Sequence, residues 1–589
     1  MSSPPRVLLE SYSPGRDGAS YAFSGLVREI AATTPEEVVP ALKELEQAVA
    51  EGYHAAGFVT YEASAGLANL PTLPPGKLPL LWFGIFRHRT PVTAGEHVRE
   101  ATEAATTDWT PSLGRDDYAA AIAAIRELIA AGATYQVNFT MRLSFRLDGD
   151  PLACYRDFCR SQQAPYCAWI DTGAFRILSA SPELFFRLEG DRITTRPMKG
   201  TAARGRWLAE DEEACRALRA NPKERAENLM IVDLLRNDLG MVAATGTVQA
   251  APLFDVETFP TVHQMTSTVT ARLKEGVGIS DLFRALFPCG SVTGAPKRKT
   301  MEIIAGLESS PRGLYTGCIG YVSPGPEAVF SVAIRTAVID STTARGELGV
   351  GSGVTWDSTA DDEYAECLAK ASFAMAPQPE FHLIESLLLE QQEGYFLFER
   401  HLARLERSAR YFGFRLDPAK ARRLLCEFAA TLTGTQKVRL LLGRDGSITL
   451  ESAPVNPEET MPLPVTFAGI TVDSSDPFLY HKTTRRELYA AELARNPHCV
   501  DVIFRNERGE VTEAANSNVV AKIGGKRLTP PLASGLLPGT FREELLESGI
   551  LVERTLTAED LAEAEAIFLI NSVRKWRPAA LVAPRFTTL

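Results

Sequence analysis

The sequence of 589 residues lacks the signals of an exported, disulfide-linked or membrane-spanning protein. Its nine cysteines are scattered and form no Cys-x-x-Cys pair, which argues against a disulfide framework. No uninterrupted apolar stretch is long enough to cross a bilayer, and the first residues lack the basic and apolar regions of a signal peptide. We therefore expect a cytoplasmic protein with reduced thiols.

The sequence has no excess of positive charge. Its 73 acidic residues outnumber its 62 lysines and arginines, which gives a formal net charge of −11. Nucleic acids and anionic membranes both favour a basic surface, so we expect neither as a partner. The composition, with 45% apolar and 23% charged residues, is typical of a globular protein. A chain of this length exceeds what one hydrophobic core supports, so at least two domains are expected.

One segment is typical of a linker between domains. A helical pattern over 361–376 ends at Ala-Pro-Gln-Pro, where two prolines stop the helix and favour extended chain. A strand-like pattern begins at Phe381. Strands and helices cluster more than they alternate, which favours the α+β class. We predict two such domains, residues 1–378 (with 1–110 as an N-terminal lobe) and residues 379–589.

Two glutamate pairs have helical spacing. Asn221 fits an N-cap, Pro222 fits the first helical position, and Gly240 is the predicted end of the helix. Glu224, which can also complete a capping box with Asn221, then shares a face with Glu227.

Glu363 and Glu366 repeat the spacing at the start of another predicted helix. Two such pairs can bracket a hard cation such as Mg²⁺, but acidic residues are also common in the first turn of solvated helices. Spacing alone leaves both interpretations open.

A lysine follows a strand pattern beside small residues. Lys199 precedes Gly200, which allows close approach of a ligand, and Thr201, which offers a hydroxyl. A buried lysine could act as a nucleophile, whereas a lysine in a turn is more commonly solvated. Glu183 could be a general acid or only a turn residue, and the loop 351–353 could cradle a carboxylate through its N–H groups.

Taken in order over roughly 130–375, these segments resemble the chorismate-utilising enzymes, a family that includes the anthranilate, aminodeoxychorismate, isochorismate and salicylate synthases. The match depends on many short motifs in the family's order. The matching segments are 132–138, 181–183, 197–201, 223–228, 231–240, 262–264, 290–297, Tyr315, 320–321, Arg335, 351–354 and 363–366.

The resemblance implies roles for these residues. Glu227 and Glu366 would bind Mg²⁺ directly, while Glu224 and Glu363 would hold metal-bound water. The metal would hold the ring carboxylate of chorismate. The residues implied to contact the substrate are Gln136, Gly200, Thr201, His263, Tyr315, Arg335, Gly351, Ser352 and Gly353.

Two positions separate the reactions of this family. Members that add water carry a lysine where Gln136 stands, so Gln136 implies ammonia as the nucleophile. Anthranilate synthases carry a small residue where Lys199 stands, whereas a lysine is typical of the aminodeoxychorismate synthases. The implied route has Lys199 attacking C2 of chorismate while Glu183 protonates the departing C4 hydroxyl. Ammonia then enters at C4 and displaces the lysine.

The second predicted domain carries a lysine, Lys482, and downstream a glutamate, Glu513. Gly539 and Thr540 would begin a helix whose free N–H groups can bind a phosphate, and Arg404 lies on an earlier helix. Each feature is weak by itself, since a lone lysine is usually solvated and Pro-Gly-Thr is often a turn.

In order over about 381–578 these features resemble the fold-type-IV pyridoxal-phosphate enzymes, which include aminotransferases and aminodeoxychorismate lyase. The resemblance implies that Lys482 bonds the cofactor's aldehyde and that Glu513 pairs with the pyridine nitrogen. Arg404, Gly539 and Thr540 would hold the phosphate. Glu487 stands where the aminotransferases carry a tyrosine, which favours a lyase, and we place Arg574 on the substrate side.

The two resemblances imply consecutive reactions. We expect conversion of chorismate and ammonia to 4-amino-4-deoxychorismate, followed by elimination of pyruvate to give 4-aminobenzoate for folate synthesis. The alternatives are an anthranilate synthase component joined to a class IV aminotransferase, and a non-catalytic scaffold. The chain has no Gly-x-Cys-x-Gly nucleophile, so we expect ammonia from solution or from a separate glutamine amidotransferase subunit. The type-IV resemblance also implies a homodimer through the second domain.

Overall fold

The computed structural model describes residues 6–13, 19–98, 101–376, 379–456 and 462–582. The chain forms two compact units, Met1–Ala203 with Cys215–Gln378, and Arg204–Ala214 with Pro379–Leu589. The sequence assigned Arg204–Ala214 to the first domain, whereas the structure groups this segment with the second unit. Two residues of the predicted linker, Pro377 and Gln378, lie outside the described part of the chain.

The first unit contains most of the strands, and its helix α5 begins in the segment that belongs to the second unit. Its strands are β1 (Val7–Glu10), β2 (Tyr21–Ala32), β3 (His54–Val59), β4 (Leu81–Pro91), β5 (Ala104–Pro111), β6 (Gln136–Gly149), β7 (Tyr166–Asp171), β8 (Phe175–Ser181), β9 (Leu184–Glu189), β10 (Arg192–Arg196), β11 (Met198–Ala203), β12 (Gln249–Ala250), β13 (Asp255–Thr258), β14 (Val262–Thr266), β15 (Val269–Arg272), β16 (Gly294–Ala295), β17 (Cys318–Ser323), β18 (Glu327–Val332), β19 (Thr336–Asp340) and β20 (Arg345–Val354). The helices are α1 (Pro35–Ala50), α2 (Ser64–Ala68), α3 (Arg115–Ala130), α4 (Pro151–Gln162), α5 (Leu208–Ala220), α6 (Pro222–Val242), α7 (Ile279–Leu286), α8 (Lys297–Leu307) and α9 (Ala360–Met375).

One large antiparallel sheet forms the body of the first unit. Its strands neighbour one another in the order β5-β6-β20-β19-β8-β7-β1-β2-β4-β3-β17-β18-β9-β10-β15-β12, and β16 also pairs with β6. Strands β6 and β20 pair with Asn138 opposite Gly353. The register therefore places the start of β6 beside residues 351–353. The predicted loop at 351–353 is wrong, because these residues belong to strand β20 and pair with β6.

A small sheet has the order β11-β14-β13, and its strand β11 carries Lys199, Gly200 and Thr201. Helix α6 carries Glu224 and Glu227, and helix α9 carries Glu363 and Glu366. Asn221 caps α6 as predicted, accepting hydrogen bonds from the N–H groups of Lys223 and Glu224. The predicted end at Gly240 is wrong, because the helix continues to Val242. Gly240 does not adopt the left-handed conformation. Glycine permits that conformation at a helix end but does not impose it.

The second unit has fewer elements and two sheets. Its strands are β21 (Leu383–Glu390), β22 (Gly394–Tyr395), β23 (Gln436–Leu442), β24 (Ile448–Pro454), β25 (Leu463–Val472), β26 (Asp501–Asn506), β27 (Val511–Ala514), β28 (Ser517–Ile523), β29 (Lys526–Thr529), β30 (Val552–Glu553), β31 (Ala566–Asn571) and β32 (Lys575–Leu581). Its helices are α10 (Phe398–Phe412), α11 (Pro418–Ala429), α12 (Glu487–Arg495), α13 (Thr540–Glu547) and α14 (Ala558–Ala562).

The sheets of the second unit have the orders β22-β21-β23-β24 and β27-β26-β25-β32-β31-β28-β29-β30. The first is antiparallel, and the second mixes antiparallel pairs with the parallel pairs β25–β26, β25–β32 and β29–β30. Across both units helices and strands cluster, which confirms the predicted α+β class. In the described residues no helix is both long and apolar enough to cross a membrane.

The segment Arg204–Ala214 is held in the second unit by specific contacts. Arg204 donates a hydrogen bond of 2.8 Å to the carbonyl of Tyr411, while a two-pronged ion pair with Asp211 (2.6 and 2.8 Å) orients its guanidinium within the segment. Arg206 donates a hydrogen bond to Tyr480 Oη (3.2 Å), and the ring of Trp207 lies 5.0 Å from the Tyr480 ring. Tyr480 comes two residues before the predicted cofactor lysine, so this segment supports its backbone.

Candidate active sites

The first unit contains a cavity of about 390 Å³ that collects most of the residues implied to bind chorismate and metal. Strands β11 and β20, helices α6 and α9 and the connections that hold Glu183, Tyr315 and Arg335 bring them together. The predicted residues that line it are Glu183, Lys199, Gly200, Thr201, Glu224, Glu227, Tyr315, Arg335, Gly351, Gly353, Glu363 and Glu366.

Lys199 lies at an irregularity of strand β11. The strand pairs with β14 at Met198 and again at Thr201, and the register shifts between them. Gly200 has φ +104°, a conformation that an L side chain rarely adopts. A bulge of this kind changes the direction of a side chain, and Lys199 Nζ accordingly lies 3.5 Å from a carboxylate oxygen of Glu227.

Glu183 is the buried acid of this cavity. Its carboxylate accepts a hydrogen bond of 2.6 Å from Ser291 Oγ. Burial raises the pKa of Glu183 to about 7, although Ser291 and, more weakly, Lys199 and Lys370 oppose this increase. Glu183 therefore keeps its proton near neutral pH, as a general acid requires.

The four glutamates of the two predicted pairs line the same cavity. Burial and the charge of Glu227 raise the pKa of Glu224, and Glu363 Oε2 is buried without a hydrogen-bond partner among the described residues. Burial also acts on Glu366, but Lys370 outweighs it and lowers its pKa. Carboxylate oxygens suit Mg²⁺, and an unpaired buried oxygen suits a missing cation.

These glutamates do not form a closed coordination shell. Among the described residues, no group of three or more acidic, histidine or cysteine side chains is arranged to hold a metal by itself. This is consistent with Mg²⁺, which keeps several waters and is often bound through one or two carboxylates together with an anionic ligand.

The residues predicted to contact the substrate fall into two groups. Tyr315 and Arg335 line the cavity, and burial lowers the pKa of Arg335 to about 10. Gln136 lies beside the cavity, since a Cβ added to Gly353 would be 2.4 Å from Gln136 Nε2 and 2.5 Å from Lys199 Nζ. Because Gly353 has no side chain, the amide of Gln136 and the amine of Lys199 can both lie close to its backbone.

Besides Gln136, two further predicted contact residues lie outside the cavity lining. Ser352 is fully buried and hydrogen-bonded to Tyr118 Oη at 3.1 Å, because alternate residues of β20 point to opposite faces. His263 is fully buried and lies 3.1 Å from Thr258 Oγ1 and 3.2 Å from Cys215 Sγ. Both positions support the walls of the site rather than its surface.

The sequence analysis missed Lys370. Its Nζ contacts the carboxylate of Glu366 at 2.5 Å and donates a hydrogen bond of 2.9 Å to the carbonyl of Gly351. Lys370 therefore links Glu366, a predicted metal ligand, to strand β20 at Gly351. The spacing of four residues from Glu366 on a helix was the available signal.

The second unit contains a cavity of about 420 Å³ that collects every residue predicted to bind the cofactor. They are Arg404, Lys482, Glu513, Gly539 and Thr540. Burial and then Arg404 and Arg486 lower the pKa of Lys482 to about 7. A large fraction of this amine is unprotonated near neutral pH, the form that reacts with an aldehyde.

Glu513 lies on strand β27 in the same cavity. It accepts hydrogen bonds from Tyr489 Oη (2.9 Å) and from the N–H of Leu537 (3.1 Å). Burial raises its pKa to about 7. A cationic partner would restore its charge, and the ring nitrogen of a pyridine is such a partner.

Arg404 and the start of α13 form a setting for a phosphate. Arg404 is oriented by a two-pronged ion pair with Glu385, with distances of 2.7 and 2.9 Å. Burial raises the pKa of Glu385, but Arg404 and His401 outweigh this and bring it to about 2. The N-cap of α13, Gly539, makes no side-chain capping bond, so the first N–H groups of the helix are available to an anion. The residues of this cavity thus fit pyridoxal phosphate.

Four cationic residues that line this cavity were not predicted, and one of them is Arg577 on β32. Lys437 and Arg439 lie on β23, and Arg486 lies near Lys482. Arg574, which the sequence placed on the substrate side, also lines the cavity. A strand pattern predicts which residues share a face, but not which face meets a cavity.

The fold and the two cavities are those of an enzyme with two sites. One site has Lys199 among carboxylates, and the other has Lys482 among arginines and lysines. The chain belongs to the chorismate binding enzyme family, whose model matches residues 4–376. The model of amino-transferase class IV matches residues 382–582. Both family resemblances seen in the sequence are thereby confirmed.

Relatives carry two kinds of name, aminodeoxychorismate synthase and anthranilate synthase component 1. Anthranilate synthase component 1 of Methanothermobacter thermautotrophicus is 36% identical over 338 residues, covering 54% of this chain and 72% of that protein. The aminodeoxychorismate synthase of Streptomyces griseus is 46% identical over 259 residues, covering 44% of this chain and 36% of that protein. Aminodeoxychorismate synthase component 1 of Salmonella typhimurium is 40% identical over 274 residues, covering 46% of this chain and 60% of that protein. The chain thus matches only part of the length of these relatives.

A solved structure shows the same fold as the first unit. The crystal structure of anthranilate synthase component I from Streptococcus pneumoniae matches with a TM-score of 0.54 and 25% identity. The match covers 64% of this chain and 93% of that chain.

Proposed function

We propose that the protein makes 4-aminobenzoate from chorismate in two steps, one in each unit. The first unit would aminate chorismate to 4-amino-4-deoxychorismate, and the second would remove pyruvate. The observation that carries this proposal is the position of Lys199, which shares a cavity with Glu183, an acid whose pKa burial raises to about 7. A small residue is expected at position 199 in an anthranilate synthase.

In the first step, the neutral amine of Lys199 would attack C2 of chorismate as both ring double bonds shift by one position toward C4. Glu183 gives its proton to the C4 hydroxyl, which leaves as water. Ammonia then bonds to C4, and the reverse shift breaks the bond between C2 and Lys199. Covalent catalysis of this kind replaces one difficult substitution with two easier ones.

The four glutamates would hold Mg²⁺, with Glu227 and Glu366 as direct ligands and Glu224 and Glu363 through water. The ion would neutralise the ring carboxylate of chorismate in a cavity that is otherwise rich in negative charge. The other carboxylate of chorismate would be held by Tyr315, Arg335 and backbone N–H groups of residues 351–353.

In the second unit, Arg404 and the N–H groups at Gly539 and Thr540 would hold the phosphate of pyridoxal phosphate, and Glu513 would face its pyridine nitrogen. The bound cofactor supplies an electron sink. Lys482 Nζ would remove the proton from C4 of the substrate. Breaking the C3–O bond would then release enolpyruvate, which takes up a proton to become pyruvate, and the ring becomes aromatic.

We also propose that ammonia reaches the first unit from solution or from a separate glutamine amidotransferase subunit, and that the second unit forms a homodimer. Purified protein should then turn over with an ammonium salt and remain inactive with glutamine alone. Turnover with glutamine as the sole nitrogen source would contradict the proposed ammonia supply.

Product identification tests the proposed function. The protein is incubated with chorismate, Mg²⁺, ammonium and pyridoxal phosphate, and the aromatic product is identified by chromatography and mass. We expect 4-aminobenzoate and pyruvate in equal amounts. Anthranilate as the product would favour the alternative assignment as an anthranilate synthase component, and the absence of any product would favour a non-catalytic scaffold.

A further inference from the structure

Arg312 is one of the largest side chains that are fully buried in the described residues. It does not line the cavity of the first unit, but it bonds to residues that do. Its backbone N–H donates a hydrogen bond of 2.7 Å to Glu62 Oε1, and the N–H of Gly313 donates one of 3.0 Å to Glu62 Oε2. Glu62 therefore anchors the backbone that carries the guanidinium.

The guanidinium of Arg312 uses all of its N–H donors. An arginine side chain offers five such donors in a rigid fork. Two of them bond to the carboxylate of Glu308 at 2.8 and 3.0 Å, and the side chains of this ion pair are 1% and 4% exposed. Burial lowers the pKa of Arg312, but Glu308 outweighs this and raises it, so the group keeps its charge.

The three remaining donors reach three segments of the chain. They bond to the carbonyl of Asn138 on β6 (2.6 Å), the carbonyl of Val292 before β16 (2.9 Å) and Oγ1 of Thr316 before β17 (3.4 Å). The amide of Asn138 also donates a hydrogen bond of 3.1 Å to the carbonyl of Val292. One buried side chain thus holds three separate segments together.

Two of these segments carry residues with proposed roles. Ser291, the neighbour of Val292, donates the hydrogen bond of 2.6 Å to Glu183, the proposed acid. Tyr315, the neighbour of Thr316, lines the cavity and is proposed to bind a carboxylate of chorismate. The bonds of the guanidinium therefore set the distance between the acid and this carboxylate position.

Thr316 connects the guanidinium to Tyr315. Its hydroxyl accepts the bond from Arg312 and donates a hydrogen bond of 2.6 Å to the carbonyl of Tyr315. Thr316 is fully buried and has φ +63°, a left-handed conformation that β-branched residues rarely adopt. Such a conformation persists only where the surrounding structure imposes it. The bonds of the Thr316 hydroxyl help to impose it, and they fix the position of Tyr315 with it.

We infer that Arg312 is a positioning residue of the chorismate site, an inference that rests on the amination proposed above. It does not touch the substrate, and it acts by holding Tyr315 and the Ser291–Glu183 pair at the separation that chorismate requires. A displacement of about 1 Å far from the reacting atoms can lower the rate of an enzyme by about 10²-fold. Lysine cannot replace this side chain, because an ammonium is a point charge with three donors and no rigid fork.

Arg312→Lys tests this inference. The variant keeps the charge that pairs with Glu308 but has fewer donors. Initial rates of chorismate consumption are measured with Mg²⁺ and ammonium over a range of chorismate concentrations. We expect KM for chorismate to rise about tenfold and kcat to fall about tenfold, because both the carboxylate position and the acid are displaced. A merely structural role predicts fewer folded molecules, which lowers the apparent kcat and leaves KM unchanged.

Thr316→Val is the second variant, because it removes one hydroxyl and keeps the shape of the side chain. It breaks the connection between Arg312 and Tyr315 and leaves the buried ion pair intact. We expect KM for chorismate to rise about threefold, with a smaller change in kcat. Thr316→Ser keeps the hydroxyl and should retain the wild-type KM. Arg298→Lys, at an exposed position on α8, is the matched control and should change neither constant.

The outcomes separate this inference from the proposed function. A raised KM in Arg312→Lys and Thr316→Val supports the positioning role. An unchanged KM in both variants, with or without a lower kcat, would overturn it even if the wild-type protein makes 4-aminobenzoate. If Arg312→Lys does not fold, Thr316→Val alone decides in the same way.

Absence of 4-aminobenzoate with the wild-type protein would defeat the proposed function alone. Binding of chorismate in the presence of Mg²⁺ is then measured by equilibrium dialysis. Weaker binding by the two variants would still support the positioning role, and binding equal to that of the wild type would overturn it.

Discussion

The two cavities have opposite charge, although the proposed substrates of both are dicarboxylates. The first is lined largely by carboxylates, including Glu224, Glu227, Glu363 and Glu366, and the second largely by arginine and lysine. An acidic cavity can bind a dianion only if a metal ion reverses the local charge. A basic cavity binds it directly, so the first reaction should depend on Mg²⁺ and the second should not.

The two lysines proposed to react also have surroundings of opposite charge. Lys199 lies 3.5 Å from Glu227, and Lys482 lies among arginines, with its pKa lowered to about 7 by burial and these charges. Lys199 is therefore held near a carboxylate in the cavity proposed to bind Mg²⁺, whereas Lys482 lies in a cavity that favours its neutral amine. The predictions below test whether these two environments perform separate reactions.

The largest effect is expected for Lys199→Ala. Loss of the nucleophile should lower formation of 4-aminobenzoate from chorismate by about 10³-fold or more. Added 4-amino-4-deoxychorismate should still be converted at the wild-type rate, because the second unit is unchanged. Undiminished production from chorismate would remove Lys199 from the mechanism. Lys223→Ala, at an exposed position on the rim of the same cavity, is the control.

Glu183→Gln should have the next largest effect, a decrease in amination of about 10² to 10⁴-fold, because the general acid is lost. The raised pKa of Glu183 means that it stays protonated up to about pH 7. Amination by the wild-type protein should therefore fall as the pH rises through about 7, as the acid loses its proton. The residual activity of the variant should lack this decrease, and an unchanged pH profile would exclude Glu183 as the acid.

Removal of divalent metal with a chelator tests whether the two proposed reactions differ in their need for Mg²⁺. It should abolish consumption of chorismate, while conversion of supplied 4-amino-4-deoxychorismate continues. Mg²⁺ should restore the first reaction, and Glu366→Gln should raise the Mg²⁺ concentration required. Equal sensitivity of both reactions to chelation would contradict the assignment of the metal to the carboxylate-rich cavity.

Trp207→Ala should have the smallest effect, because Trp207 is only partly buried against the cluster that contains Tyr480. We expect a loss of about 2 kcal/mol in the stability of the second unit, since a fully buried tryptophan contributes more. Weaker binding of pyridoxal phosphate should accompany it, while amination of chorismate is retained. Trp356→Ala, an exposed tryptophan of the first unit, serves as the control.

Local signals in the sequence predicted local structure well. Asn221 and Pro222 correctly indicated the start of α6, and the glutamate spacing placed each pair on one helical face. The resemblance to two families added the order of the motifs, and the family models confirm it. The assigned roles of the site residues stay predictions until they are measured.

Features that depend on contacts between residues far apart in the sequence could not be predicted. The bulge that directs Lys199 depends on the register between β11 and β14, which are far apart in the chain. The inclusion of Arg204–Ala214 in the second unit depends on contacts with residues such as Tyr411 and Tyr480. Ser352 and His263 follow the expected motifs, yet their side chains are directed into the protein interior.

One complementation measurement tests the central claim that two lysines act in series. Lys199→Ala and Lys482→Ala are assayed separately and as a mixture, with chorismate, Mg²⁺, ammonium and pyridoxal phosphate. Neither variant alone should form 4-aminobenzoate, and the mixture should form it once the intermediate released by Lys482→Ala reaches the intact second unit of the other variant. Formation of 4-aminobenzoate by either variant alone, or none in the mixture, would contradict the account.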